Sequence, residues 1–148
     1  MKNKVPPPFV MIFFGVFILL SKRILPEFDF GFVGDLGFVF YPAAALLIAS
    51  AVLSFKRHET TVNPLEPESA SNLVTSGVFR ISRNPMYLAM AFILIGLSLH
   101  KNAISGFVFV PSFIAYITKF QILPEEAAMH KLFGDDYSHY KARVRRWI

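Results

Sequence analysis

The chain has 148 residues, of which 54% are hydrophobic and only 17% charged, with a mean hydropathy of +0.49. An ordinary soluble domain of this size could not cover its surface with so few polar groups, so the composition points to a single integral membrane domain over residues 1–148. The formal charge of +5 would suit nucleic acid, but the cations sit beside apolar runs, where they act as orientation signals and headgroup contacts, and no nucleic-acid partner is expected. The absence of cysteine excludes disulfides, thiolate metal sites and a cysteine nucleophile.

In chain order, the first apolar run is Val5 to Leu20, with Pro6 to Pro8 at its mouth, where a helix has no intrahelical N–H bonds to lose. Lys2 and Lys4 precede it as they would in a signal peptide. Ser21-Lys22-Arg23 follows it instead of a small-residue cleavage site, so the run reads as a membrane helix. Ser21 to Asp35 is a polar, glycine-rich connection in which Gly31, Gly34 and Gly37 serve turns and packing. A second helix is predicted from about Phe38 to Phe55, with a small-residue face of Ala43, Ala44, Ala45, Ala49, Ser50 and Ala51 that lets backbones approach in lipid. That face permits a dimer without requiring one, and the oligomeric state stays open. Lys56-Arg57-His58 stops the helix and closes an N-terminal helix pair, residues 1–58.

Residues 59–148 then open on a polar stretch, Thr60 to Ser69, where Pro64 and Pro67 exclude a long helix. Leu73 to Ser76 reads as a short turn ended by Gly77 in a left-handed conformation. The third run opens on Pro85 and continues to Leu99. His100-Lys101-Asn102 makes a hairpin, and the fourth run extends from Ala103 to about Ile122, with Pro111 as a kink. Pro124-Glu125-Glu126 starts another helix, with two acids in the dipole-favoured first turn, and Gly134 ends it. Asp135 or Asp136 then caps a last helix to Trp147. Tyr137, Tyr140, Val144 and Trp147 on one side of it, with Lys141, Arg143, Arg145 and Arg146 largely elsewhere, suit a helix lying against a cytoplasmic leaflet.

The expected fold class is therefore an all-α integral membrane protein of about four transmembrane helices with short C-terminal amphipathic helices. With the N-terminus inside, only Lys22, Arg23 and Lys101 fall on the far side, so both termini are expected in the cytoplasm. Arg83, Asn84 and Tyr87 then share a face with Glu125, Glu126 and His130, at the two ends of one helical hairpin. A carboxylate pair against an apolar wall can bind a ribose diol or an ammonium group, or take up a proton. First-turn acids and headgroup arginines also occur for stability alone. The chain has no His-x-x-x-His metal spacing, no Ser-His-Asp arrangement and no Gly-Lys-Ser/Thr loop, and no metal site is expected.

Leu-Val-Thr-Ser-Gly-Val-Phe-Arg-Ile-Ser-Arg-Asn-Pro-Met-Tyr, residues 73–87, is followed after one hairpin by Glu-Glu-x-x-x-x-x-x-Phe-Gly-x-x-Tyr-x-x-Tyr-x-x-x-Val. This pair of motifs, from about Thr61 to Val144, resembles the isoprenylcysteine carboxyl methyltransferase family and its relatives the phospholipid N-methyltransferases. The resemblance implies a membrane-embedded methyltransferase that uses S-adenosylmethionine and takes a lipid-like or prenylated substrate from the bilayer, with membrane lipids as its other partners. It implies cofactor binding by Leu73, Val74, Phe79, Asn84, Pro85, Met86, Tyr87 and Glu125; from the residue types themselves, Glu125, Glu126 and Arg83 are the expected catalytic groups. The family usually has histidine at Asn84 and an arginine at Gln121, where it contacts a prenylcysteine carboxylate. Asparagine cannot carry a proton at neutral pH. Those two departures leave open a lipid-binding protein of the same fold without turnover.

Overall fold

A computed structural model describes residues 5–25, 31–58 and 71–148, and among these every regular element is helical. The helices are α1 (Pro7–Ser21), α2 (Val33–Arg57), α3 (Pro85–His100), α4 (Gly106–Ile117) and α5 (Leu123–Arg143). Lys2, Lys4 and the predicted connection Thr60 to Ser69 lie outside the described residues.

Prolines open α1 and α3 as expected: Pro7 and Pro85 occupy first-turn positions whose N–H would have no partner anyway. Helix α2 begins earlier than predicted, at Val33, and takes in Gly34 and Gly37, which the sequence pattern places in the connection. Close packing explains the difference. A Cβ at Gly37 would stand 2.6 Å from the His100 backbone nitrogen and 2.7 Å from the Gly96 carbonyl oxygen, so α2 and α3 approach through bare backbone. Asn102, at φ 50, makes the α3–α4 turn, a conformation asparagine tolerates better than most residues.

Two apolar clusters result. The larger joins Val10 and Ile18 of α1, Tyr87, Ala91 and Leu94 of α3, and Val110, Phe113 and Ile117 of α4. The smaller gathers Ala51, Val74, Phe79, Tyr137, Tyr140 and Val144. Outside them, Phe9, Phe13, Phe38, Leu46 and Phe107 point outward and are at least half exposed. Water would not tolerate that surface on a monomer, whereas hydrocarbon would. Helix α2 is long and apolar enough to cross a membrane, and so is the rod formed by α4 and α5; α1 and α3 are apolar but shorter.

Three further expectations are corrected. Leu73 to Ser76 is not a helical turn, and Gly77, at φ +60, opens a 3-10 turn (Gly77–Arg80) instead of ending one. Pro124 does not start a separate helix. Thr118–Ile122 forms a π turn that carries α4 directly into α5. A proline at 124 can donate nothing to the Phe120 carbonyl four residues back, and the wider π turn accommodates that missing bond. Gly134 does break the helix, at φ 51 and ψ −120, but the last segment ends at Arg143, not Trp147. Tyr137 and Tyr140 on that segment, and Val144 just beyond it, belong to the smaller cluster, so this side packs on protein.

Replacing Gly37 with Ala tests the backbone contact. Alanine in a helix ordinarily gains about 0.5–1 kcal/mol over glycine; here the overpacking penalty of about 1–3 kcal/mol exceeds it. The variant should unfold earlier than the parent in a mixed-detergent titration, and a later midpoint would show that the two helices can part at little cost.

Candidate active site

The segment entering α3 is held by the C-terminal tail. Arg83 donates its backbone N–H to the Arg145 carbonyl at 3.1 Å and its Nη1 to the carbonyls of Val144 at 2.6 Å and Lys141 at 3.2 Å. Asn84 Nδ2 donates to the Arg146 carbonyl at 2.9 Å, and Ser82 Oγ reaches the same oxygen at 3.4 Å. Tyr140 closes the other end, its hydroxyl donating to the Phe79 carbonyl at 2.7 Å.

Glu126 lies at the centre of this frame. Its Oε1 accepts from Arg83 Nη2 at 2.6 Å and Arg146 Nε at 2.9 Å, and its Oε2 from Arg146 Nη2 at 2.8 Å. The Glu126 and Arg83 side chains are only 9% and 7% exposed, so their charge-assisted bond lies out of water, whereas Arg146 is 31% exposed. Desolvation alone would raise the Glu126 carboxyl, but the bonds and charges of Arg146 and Arg83 outweigh it and hold the group down at about 2. Glu126 is therefore a fixed anion, and both guanidinium groups are engaged in holding it.

Glu125, its neighbour, has the opposite surroundings. Tyr87 donates its hydroxyl to Glu125 Oε1 at 2.6 Å and Gln121 donates Nε2 to the same oxygen at 2.5 Å. Gln121 is 2% exposed because the π turn directs it inward. Burial raises the Glu125 carboxyl to about 7 against the two donors, so this group can exchange a proton near neutrality. Both acids stand past the apolar stretch of the rod, which ends at Leu123. Among the described residues no donor engages Glu125 Oε2.

The predicted residues thus divide into three groups. Leu73, Val74, Phe79 and Met86 come together in the smaller cluster, with the Phe79 ring 5.0 Å from that of Phe55. Asn84 and Pro85 turn the chain into α3, and Tyr87 and Glu125 meet directly. Arg83 and Glu126 meet in the ionic frame. His130 does not join Glu126: it is exposed, with Nδ1 3.4 Å from Ser138 Oγ. Sequence reasoning missed Arg146, which it took for one of several basic residues facing headgroups, and the internal role of Gln121. The adjacency of Val144 to two arginines could have signalled a tail folded back on the core.

An open carboxylate oxygen beside a phenol, with an aliphatic and aromatic wall nearby, suits a ligand that combines hydroxyls or a cation with an apolar ring. The buried Arg83 Nε–H has no hydrogen-bond acceptor among the described residues. These residues fit an adenosyl sulfonium cofactor in chemical type.

The described residues form an all-helical protein in which two helices are long and apolar enough to cross a membrane. The family model for phospholipid methyltransferases matches residues 33–136, most of the chain, and the chain belongs to that family. The match begins within the N-terminal half and takes in α2, where the sequence shows no motif. An uncharacterised protein of Haemophilus influenzae is 40% identical over 63 residues, which are 43% of this chain and all of that one. No solved structure matches the chain.

Removing the central anion should be costly. Glu126→Ala leaves two guanidinium groups without their partner and should lose about 3–5 kcal/mol of stability. Because the folded carboxyl lies below its ordinary value of 4.5, its contribution is complete above that value and is lost as pH falls toward 2. The gap in thermal unfolding between parent and Glu126→Gln should be constant above about pH 5 and narrow steadily from there to about pH 3; a gap that stays constant throughout would deny the linkage.

Proposed function

We propose that the chain is a membrane-embedded, S-adenosylmethionine-dependent methyltransferase acting on a lipid-like or prenylated acceptor, of isoprenylcysteine carboxylate or phospholipid amine type. In this reading four helices cross the bilayer, and both termini and the site face the cytoplasm. The observation that carries it is the Glu125 carboxylate, fixed by Tyr87 and Gln121 through one oxygen and open at the other, where an apolar rod meets its charged continuation.

S-adenosylmethionine, when bound, supplies an activated methyl group on a sulfonium. Tyr87 and Gln121 hold the Glu125 carboxylate in one orientation, and Leu73, Val74, Phe79 and Met86 supply apolar surface that excludes water. Asn84 and Pro85 set the direction of the chain beside them. A carboxylate acceptor would need no base. An amine must lose its proton before it can attack, and Glu125 Oε2 is the acceptor whose affinity for a proton matches that task. Glu126, paired on both oxygens, is a poor base and supports the frame with Arg83. A second reading, a lipid-binding protein of this fold without turnover, is favoured by Asn84, whose amide is committed to the Arg146 carbonyl and cannot titrate.

Calorimetric titration of detergent-purified protein with S-adenosylmethionine and S-adenosylhomocysteine tests the proposal. Micromolar binding is expected, weakened about 10- to 100-fold in Glu125→Ala, as befits the loss of a charge-assisted hydrogen bond. Unchanged affinity in a folded Glu125→Ala protein would remove that residue from the site. Binding by the parent without methyl transfer to any membrane lipid would favour the second reading.

A further inference from the structure

The tail from Val144 to Ile148 belongs to no helix and lies beyond residue 136, where the family match ends. It nevertheless supplies acceptors to three consecutive residues, Ser82, Arg83 and Asn84, which immediately precede the start of α3. It is anchored on both sides of the site, Val144 in the smaller cluster and Trp147 against the larger. One side chain registers the tail against α5: Arg146 grips both oxygens of Glu126 through two of its nitrogens. A fork of that kind fixes distance and orientation together, which a point charge cannot.

We infer that Arg146 is a positioning residue for the cofactor site, acting through Glu126 and through its own carbonyl to hold Ser82, Arg83 and Asn84, and hence Tyr87 one turn further on, in binding geometry. The inference rests on the methyltransferase reading for its ligand, but its mechanical half stands on the hydrogen bonds alone. A tail that merely fills space would be replaceable by any side chain of similar bulk. A positioning tail requires the fork.

The full chain in detergent is compared as parent, Arg146→Ala, Arg146→Lys and, as a control, Arg143→Ala, whose side chain is exposed. Three quantities are read: S-adenosylhomocysteine affinity, the thermal midpoint, and hydrogen exchange in a peptide covering residues 79–87, where the Arg83 amide donates to the Arg145 carbonyl. Arg146→Ala should weaken binding tenfold or more and speed exchange at Arg83 and Asn84, while exchange in α2 and α3 stays at the parental rate. Arg146→Lys should recover the thermal midpoint but only part of the affinity, because it restores the charge without the fork. Parental affinity and exchange in Arg146→Ala would overturn the inference, and so would faster exchange throughout the protein, which marks a residue of general stability. Should the parent bind no nucleoside ligand, the methyltransferase reading fails while the exchange data still decide whether Arg146 holds the segment.

Discussion

Everything at the charged end of the molecule depends on one carboxylate. Glu126 is nearly out of water, and an unpaired anion there would lose several kcal/mol of hydration. Arg83 and Arg146 offset that loss, and each brings with it the backbone to which it belongs. Three segments distant in sequence therefore converge because a single charge must be neutralised: the turn before α3, the first turn of α5 and the C-terminal tail. Packing of Tyr137, Tyr140 and Val144 against Phe79 and Val74 and the Tyr140–Phe79 hydrogen bond support the same arrangement.

Adjacent acids are thereby driven to different states. Glu126 faces two cations and stays ionised, whereas Glu125 faces a phenol, an amide and apolar surface and has a carboxyl raised to about 7. Separation of this kind between neighbouring titratable groups is how a site assigns a fixed charge to one position and a mobile proton to another. The neighbours in sequence lie on different sides of the helix, so one residue step is enough to change environment.

How much of this was legible in the sequence follows from whether each signal is local. Pro7, Pro85 and Gly134 mark helix boundaries because their effects act within one turn, and each boundary stands where the sequence puts it. The motif residues 73–87 and 125–126 were recognisable as one site because a hairpin of fixed length joins them. Gly37 is a packing glycine, as its residue type suggests, but the sequence pattern places it in the connection because its partners, His100 and Gly96, lie on another helix. Pro124 was misread because a π turn absorbs a lost hydrogen bond without interrupting the rod, and no residue type announces such a turn. The fold of the tail was least legible. Its bonds are made largely by backbone carbonyls, which every sequence possesses, and Arg146 is distinguished from Arg145 only by the direction in which it points.

The π turn also has a mechanical consequence. Because α4 passes into α5 without a loop, the apolar half of the rod connects to Glu125 and Glu126 through helical backbone alone. The turn before α3 is tied to the same rod through the Arg83–Glu126 pair and through the carbonyls of Lys141 and Val144. Apolar rod, carboxylates and the entry to α3 are thus one continuous mechanical linkage.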